Sequence, residues 1–201
     1  MAEQKYLKKI EALFEKSPVV PFSNINRIVQ QTNKTDYAKQ IVHLLIKKGK
    51  IKRITKGYYT RFDEIGLSVL CFQPSYLGLH SALSFHGLWE QETIPVIVTS
   101  RTVRQGIRKC MGANILIRRS CKAYIFGYEY VNDSGYYLPY SDIEKTFIDF
   151  FVFREKLSPE TMQQFERKIN LKKLQRYLLR YPKRIRIKVL HALRQQGKKL
   201  R

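Results

Sequence analysis

The spacing of apolar residues predicts three helices at the start of the chain. In residues 3–16, apolar side chains recur at helical intervals with charged residues between them. A short second helix is predicted over residues 22–29, with Ser23 as its N-cap. The third helix is predicted to begin near Thr35 and to end at Gly49, a residue type that suits the position just after a helix. Its buried stripe would consist of Ala38, Ile41, Val42 and Leu45.

Two short β-prone runs follow the third helix. Residues 50–54 and 58–60 flank the turn Thr55-Lys56-Gly57, which predicts a hairpin rich in Lys and Arg. Three helices followed by a basic hairpin is the order of elements in a winged helix-turn-helix. In that module the third helix lies in the DNA major groove, and the hairpin reaches the phosphates or the minor groove. A winged helix that is used only for protein contacts is the alternative.

The residues predicted to contact double-stranded DNA lie on the third helix and on the hairpin. The leading turn and the polar face of the helix supply Lys34, Thr35, Tyr37, Lys39, Gln40, His43 and Lys47. The hairpin supplies Lys52, Arg53 and Lys56. Amide and hydroxyl groups read base edges, whereas Lys and Arg mainly neutralise phosphates. We therefore expect base readout from Thr35, Tyr37 and Gln40, and phosphate contacts from the hairpin.

Residues 63–153 predict a small α+β domain with a mixed or antiparallel sheet. A helix is expected over residues 76–88. Strands are expected over three apolar or β-branched runs, at 94–99, 114–118 and 124–131. The sequence Asn132-Asp133-Ser134-Gly135 predicts a hairpin turn. Ser141 and Glu144 form a capping-box pattern, which would open a helix that continues to residue 153.

Several short motifs occur in one order along the chain. They are Gly57-Tyr58-Tyr59, Ser81-Ala82-Leu83, His86-Gly87-Leu88, Pro95-Val96-Ile97-Val98-Thr99, Phe126-Gly127, Ile143-Glu144-Lys145-Thr146 and Asp149. Together they resemble the AbiEi-type antitoxin family, which are winged-helix regulators of abortive-infection, type IV toxin–antitoxin systems. The resemblance is best over residues 35–153. It implies binding to the chain's own operator with repression of its promoter, and a carboxy-terminal part that opposes a nucleotidyltransferase-like toxin.

The last part of the chain predicts three helices, of which the second and third have basic polar faces. They are expected to end at Ile169, at Tyr181 and at Gln196. In the middle helix the apolar face would consist of Leu171, Leu174 and Leu178. The second basic surface is predicted to comprise Lys172, Lys173, Arg176, Arg180, Lys183, Arg184 and Arg186. Like charges four residues apart disfavour an isolated helix, so this surface is expected to face flanking DNA, RNA or an acidic protein. A solvated edge of a helical bundle is the alternative.

Charge divides the chain into three regions. Of the 38 Lys and Arg and the 16 Asp and Glu, residues 1–62 hold 14 and 4, residues 63–153 hold 8 and 9, and residues 154–201 hold 16 and 3. Net charges of +10, −1 and +13 indicate a near-neutral core between two polyanion-binding ends. We therefore predict an α+β protein with three domains: a winged helix-turn-helix (1–62), an antitoxin-type α+β domain (63–153) and a basic helical region (154–201).

The sequence predicts no catalytic constellation, no metal site and no cofactor. His80 and His86 are six residues apart, so the two imidazoles would face different sides of a helix. Glu144 and Asp149 diverge in the same way. Glu166 and Lys168 match a nuclease-like E-x-K pattern, but they lie in a predicted helix rather than on a strand. A nuclease is therefore ranked last among the candidate functions.

Compartment and partners follow from the remaining features. No apolar run approaches the ~20 residues that a membrane-spanning helix needs, and the first residues lack the apolar stretch of a signal peptide. The three cysteines show no C-x-x-C spacing, which favours a reducing cytoplasm. The predicted function is a cytoplasmic, non-enzymatic, sequence-specific DNA-binding repressor and antitoxin. An RNA-binding protein that shields RNA from a toxin is the alternative.

Overall fold

The computed structural model describes residues 2–29, 35–91 and 93–197, and the chain is an α+β protein with a mixed and an antiparallel sheet. It divides into two compact units. The first consists of Met1–Phe72 with Lys109–Asn114, and the second of Gln73–Arg108 with Ile115–Arg201. Lys34, one of the predicted DNA contacts, lies outside the described residues.

The first unit contains the helices and the hairpin that the sequence predicts. Its helices are α1 (Ala2–Lys16), α2 (Phe22–Val29) and α3 (Thr35–Lys47). Its strands are β1 (Val20–Pro21), β2 (Lys52–Thr55) and β3 (Tyr58–Thr60), in the order β1-β3-β2. Both pairings are antiparallel. Strand β1 was not predicted, because a two-residue strand that contains proline shows no periodicity.

The core of the first unit fixes which face of α3 is exposed. Buried side chains from all three helices form one cluster, which includes Ile10, Phe14, Ile25 and Val29. The predicted stripe of α3 joins this cluster, and each of its four residues is at most 4% exposed: Ala38, Ile41, Val42 and Leu45. Because these positions recur every three or four residues, the opposite face of α3 is directed away from the core.

The six-stranded sheet is mixed. Its strands are β4 (Ser75–Leu77), β5 (Val96–Thr99), β6 (Gly106–Cys110), β7 (Ala113–Arg119), β8 (Tyr128–Asp133) and β9 (Tyr136–Ser141). The order across the sheet is β6-β7-β5-β4-β9-β8. Strands β5 and β7 are parallel, as are β4 and β9, whereas β4–β5 and β8–β9 are antiparallel.

The helices of the second unit pack around α5. They are α4 (His80–Phe85), α5 (Ile143–Phe153), α6 (Pro159–Lys168), α7 (Leu171–Leu178) and α8 (Lys183–Gly197). Fully buried residues from α5 to α8 share one core cluster: Phe147, Phe150, Phe165, Leu174 and Val189. Within the described residues, no helix is both long enough and apolar enough to cross a membrane.

Several local predictions were wrong. Strand β6 was not predicted, and the strand expected from residue 124 begins only at Tyr128. Residues 76 and 77 belong to β4 rather than to a helix, because a fully buried strand has the same continuous apolar pattern as a buried helix. Helix α5 is capped by Asp142, whose side chain accepts a hydrogen bond from the Lys145 amide, and not by Ser141. Leu171 is 59% exposed, so the buried face of α7 consists of Leu174 and Leu178 without it.

Candidate nucleic-acid interface

Helix α3 presents a polar face made of residues that the sequence singled out. Lys39, Gln40, His43 and Lys47 are all exposed. They lie opposite the buried stripe, so side-chain amide, imidazole and ammonium groups share one surface. Within the described residues, the Gln40 amide makes no intramolecular hydrogen bond, which leaves its donor and acceptor available to a ligand.

Two members of the predicted helix set differ from the rest. Tyr37 is half-buried, and its ring meets the ring of Tyr6 edge-on, with the centroids 6.3 Å apart. That contact belongs to the packing of the first unit, so it fixes the ring of Tyr37 relative to α1. Thr35 is the first residue of α3, and its side chain lies outside the described part of the chain.

The charges on α3 are only partly compensated. The Lys39 ammonium lies 3.0 Å from the Asp36 carboxylate, and both side chains are largely exposed. Such a surface pair contributes little stability, because solvent screens it, and it exchanges readily for a stronger anion. Lys47 forms no ion pair with any described carboxylate. The carboxy-terminal half of α3 therefore carries a net positive charge.

The β2–β3 hairpin carries a second group of exposed cations. Lys52 pairs with Asp63, whereas Arg53 and Lys56 are exposed and pair with no described carboxylate. Lys56 lies at the turn, where Gly57 adopts a φ of +82° that side chains other than glycine rarely tolerate. The turn thus places Lys56 at the tip of the hairpin, next to Gly57, whose backbone conformation favours glycine.

The second basic surface proves to be heterogeneous. Five of the predicted residues are exposed and pair with no described carboxylate: Lys172, Arg176, Arg180, Lys183 and Arg184. The first two help to line a cavity of about 400 Å³ beside Asn170. Arg186 is half-buried, and its Nε atom has no hydrogen-bond partner among the described residues. The members of the predicted surface therefore differ in how available they are to a partner.

Lys173 is tied into the second unit. Its ammonium lies 3.1 Å from both the Asp142 and the Glu144 carboxylates. Burial lowers the pKa of Lys173, but the hydrogen bonds to these carboxylates outweigh burial, so the pKa is raised overall. Glu144 also accepts a hydrogen bond from the backbone N–H of Asn170 at 2.8 Å. Lys173 and Glu144 thus join the start of α7 to the start of α5.

Arg180 is held by an aromatic ring. Its guanidinium carbon lies 4.3 Å from the centroid of Phe126, within the range of a cation–π contact. Arg176 lies farther from an aromatic ring, at 5.9 Å from the centroid of Tyr177. The Tyr177 hydroxyl donates a hydrogen bond to Asp142 at 2.8 Å. Burial and this hydrogen bond raise the pKa of Tyr177 to about 12.

A fully buried ion pair in the second unit was not predicted from the sequence. The Lys145 ammonium bonds the Asp149 carboxylate one helical turn away, and the Tyr76 hydroxyl donates to the same carboxylate at 2.7 Å. Burial lowers the pKa of Lys145 and raises the pKa of Asp149. The rings of Tyr76, Phe126 and Tyr181 lie within 6 Å of the ammonium. The i,i+4 spacing of Lys and Asp was a visible signal, but such pairs are usually on the surface.

The two histidines of the second unit have structural contacts. His86 makes a 2.8 Å hydrogen bond to the backbone oxygen of Ser141. His80 is half-buried between the rings of Trp89 and Phe150, and burial lowers its pKa. Within the described residues, no group of three or more His, Cys, Asp or Glu side chains is placed to hold a metal ion.

Comparison with known proteins gives a likeness of fold alone. No protein-family model matches the chain, and no curated protein matches it. Among solved structures, the crystal structure of the RV2827C protein from Mycobacterium tuberculosis is similar, with a TM-score of 0.56 and 11% sequence identity. The similarity covers 94% of this chain and 76% of that one. The α+β architecture of this chain thus also occurs in a protein with an almost entirely different sequence.

Proposed function

We propose that the protein is a sequence-specific repressor that binds double-stranded DNA at its own operator, and that α1–α3 with the β2–β3 hairpin act as a winged helix-turn-helix. The observation that carries this proposal is the exposed face of α3. There an uncommitted amide, Gln40, lies between cations on a helix whose other face is fully buried. A helix of this kind fits the major groove, where a Gln amide pairs with the edge of adenine.

The hairpin supports the same proposal. Arg53 and Lys56 have no carboxylate partners among the described residues, so their charge is available to phosphates. Neutralising phosphates releases condensed counterions, which supplies most of the affinity without sequence preference. The proposal therefore assigns sequence preference to α3 and affinity to the hairpin.

The second part of the proposal is an antitoxin role of the AbiEi type. The motifs that resemble that family include Lys145, Thr146 and Asp149, and these three residues form part of the buried hydrogen-bond network of the second unit. The exposed cations of α7 and α8 offer a surface for a polyanion or an acidic protein. We infer that this surface opposes a nucleotidyltransferase-like toxin, either directly or through the RNA on which the toxin acts.

Competition binding tests the DNA proposal. Labelled duplex from the promoter upstream of this gene is titrated with the protein, and then competed with duplex of random sequence or with RNA. The promoter duplex is expected to resist both competitors. Gln40→Ala should weaken promoter binding by about 1–3 kcal/mol and leave binding to random duplex almost unchanged.

Gln163→Ala is the matched control, because Gln163 is an exposed glutamine on α6 in the second unit. It should leave both affinities unchanged. Preferential competition by RNA would replace the repressor proposal with the RNA-shielding alternative. Equal loss of binding in the two variants would contradict the assignment of base readout to α3.

A further inference from the structure

The two edge strands of the six-stranded sheet differ in how well they are protected against pairing with another strand. Strand β8 forms one edge and β6 the other, and no described strand pairs with the outer side of either. Strand β8 is six residues long, contains no Pro or Lys, and pairs with β9 without a register shift. Its charged residues are Glu129 and Asp133. Proteins that keep sheet edges apart usually place Pro, Lys or a bulge there. The β8 edge is therefore open to another strand.

The charges of the two edges are opposite. Residues 128–141, which form β8 and β9, contain Glu129 and Asp133 and no Lys or Arg, in a chain whose net charge is +22. Residues 101–110, which end with β6, contain four Lys and Arg and no Asp or Glu: Arg101, Arg104, Arg108 and Lys109. An acidic edge and a basic edge thus bound the same sheet.

Each edge also exposes an apolar side chain. Ile107 on β6 is 67% exposed, and Tyr130 on β8 is 50% exposed. Met111 and Gly112, with φ of 51° and 81°, form a two-residue turn between β6 and β7. A turn of this type pairs the residues on either side of it, so Ile107 lies opposite Leu116 and shares its face of the sheet.

The strand registers extend that face to the other edge. The pairs that determine it are Val96–Leu116, Ile97–Leu77, Leu77–Tyr140 and Tyr140–Glu129. Because paired residues share a face and successive residues alternate, Tyr130 lies on the face of Ile107. Glu129 and Arg108 lie together on the other face. The same pairings make β6 and β8 antiparallel to each other. If a second copy is shifted sideways by the width of one sheet, its β6 therefore lies antiparallel to β8 of the first copy.

We propose that the β8 edge of one copy binds the β6 edge of a second copy, so that the sheet continues from copy to copy. When Tyr130 is opposite Ile107, the antiparallel register places Glu129 opposite Arg108. The two apolar side chains then meet on one face, and the charge pair meets on the other. Opposite charges and aromatic–aliphatic pairs across strands are stabilising.

The same charges exclude the symmetric alternatives. Pairing β8 with β8 gathers four carboxylates, and pairing β6 with β6 gathers cations, and like charges across strands are destabilising. The contact is therefore heterologous, and it produces open chains rather than closed dimers. The net charge of +22 opposes this association over long distances. Salt, or a bound polyanion, is expected to relieve that repulsion. The inference does not depend on the proposed function.

Sedimentation velocity of the full chain, without nucleic acid, tests the proposal. At ~0.3 M NaCl, where charge repulsion is screened over less than ~10 Å, the average size is expected to grow with concentration beyond a dimer. Glu129→Arg and Arg108→Glu each place like charges across the contact, so each variant alone should remain monomeric. An equimolar mixture should associate again, because each variant then meets the edge that complements its own.

Two further pairs of variants complete the test. Glu90→Arg and Lys156→Glu make the same charge changes at exposed residues outside both edge strands, and both should associate as the wild type does. Glu129→Gln and Arg108→Gln remove the pair without adding repulsion, and should weaken association about two- to fivefold. If a charge-reversed variant does not fold, these two glutamine variants replace it in the test. A monomeric wild type, an Arg108→Glu variant that still associates alone, or a mixture that stays monomeric would overturn the proposal.

Discussion

In the first unit the cations of α3 and the β2–β3 hairpin lie on the surface, whereas several cations of the second unit are held by specific partners. Lys47, Arg53 and Lys56 are exposed and have no carboxylate partner among the described residues. In the second unit, Lys173 is held by two carboxylates, and Lys145 is completely buried. The amino-terminal and carboxy-terminal regions have similar formal charges, yet they do not offer the same charge to a partner.

The net charge of the second unit therefore exceeds the charge that its surface offers to a binding partner. A cation that already has a carboxylate or an aromatic partner loses that contact when it binds a phosphate, so its net contribution to affinity is smaller. Lys47, Arg53 and Lys56 have no such cost, because they have no carboxylate partner among the described residues. Substitutions of the partnered cations in the second unit should therefore mainly lower stability, whereas substitutions of the exposed cations in the first unit should mainly weaken binding.

The largest effect on stability is expected at the buried ion pair. Asp149→Ala leaves the Lys145 ammonium uncompensated in the core and removes the acceptor of the Tyr76 hydroxyl. Breaking a buried pair in this way costs about 3–5 kcal/mol. Urea unfolding measures the change, with the exposed Glu90→Ala as a control that should stay within about 0.5 kcal/mol of the wild type. A loss below about 1 kcal/mol for Asp149→Ala would show that Lys145 can reach water.

A smaller effect on stability is expected at Gly127, which lies beside Tyr177 and Lys145. Gly127 has a φ of +66°, and an added Cβ atom would lie 2.8 Å from Cε2 of Tyr177 and 3.0 Å from Cβ of Lys145. Gly127→Ala should therefore combine about 1–2 kcal/mol of left-handed strain with about 1–3 kcal/mol of overpacking. Gly135→Ala is the matched control, because Gly135 has a φ of +88° and no atom near its Cβ position. Equal losses in the two variants would mean that Tyr177 is not packed against this turn.

The smallest effects on stability are expected for two cations of the second basic surface, Lys172 on α7 and Arg180 just after it. Arg180→Gln removes the contact with Phe126 and should cost about 0.5–1 kcal/mol of stability. Lys172→Gln, which removes an exposed cation without a described carboxylate partner, should leave stability within about 0.5 kcal/mol. Thermal unfolding of the two variants at equal salt measures the difference. If Lys172→Gln is the more destabilising change, the contact with Phe126 does not distinguish Arg180 from Lys172.

The sequence predicts the helices of the first unit well because one face of each is buried in a local core. The stripe of Ala38, Ile41, Val42 and Leu45 repeats at the helical period, and Gly57 marks the hairpin turn. The exposed face of α3 follows from that stripe by geometry alone. Its function in binding stays a prediction, since burial patterns show which face is free and not what covers it.

The second unit is harder to predict because its pairings are distant in sequence. Leu77 pairs with residues 97 and 140, and nothing local distinguishes this buried strand from the start of α4. The roles of Asp142 and Glu144 also depend on α7, which supplies Lys173, and on the residue before it, which supplies the backbone N–H of Asn170. The division of the basic surface into exposed and tethered cations follows from those contacts, so composition and spacing do not reveal it.

The salt dependence of promoter binding tests the central claim, that exposed cations of α3 and the hairpin bind DNA phosphates. The wild type is compared with a triple variant, Lys47→Gln with Arg53→Gln and Lys56→Gln. The control carries the same loss of charge at exposed residues of the second unit, Lys122→Gln with Lys156→Gln and Arg167→Gln. The slope of log affinity against log salt should fall by about 2–3 for the first triple variant, near 0.9 per lost phosphate contact, and stay unchanged for the control. Unchanged slopes in both variants, or an equal fall in both, would contradict the claim.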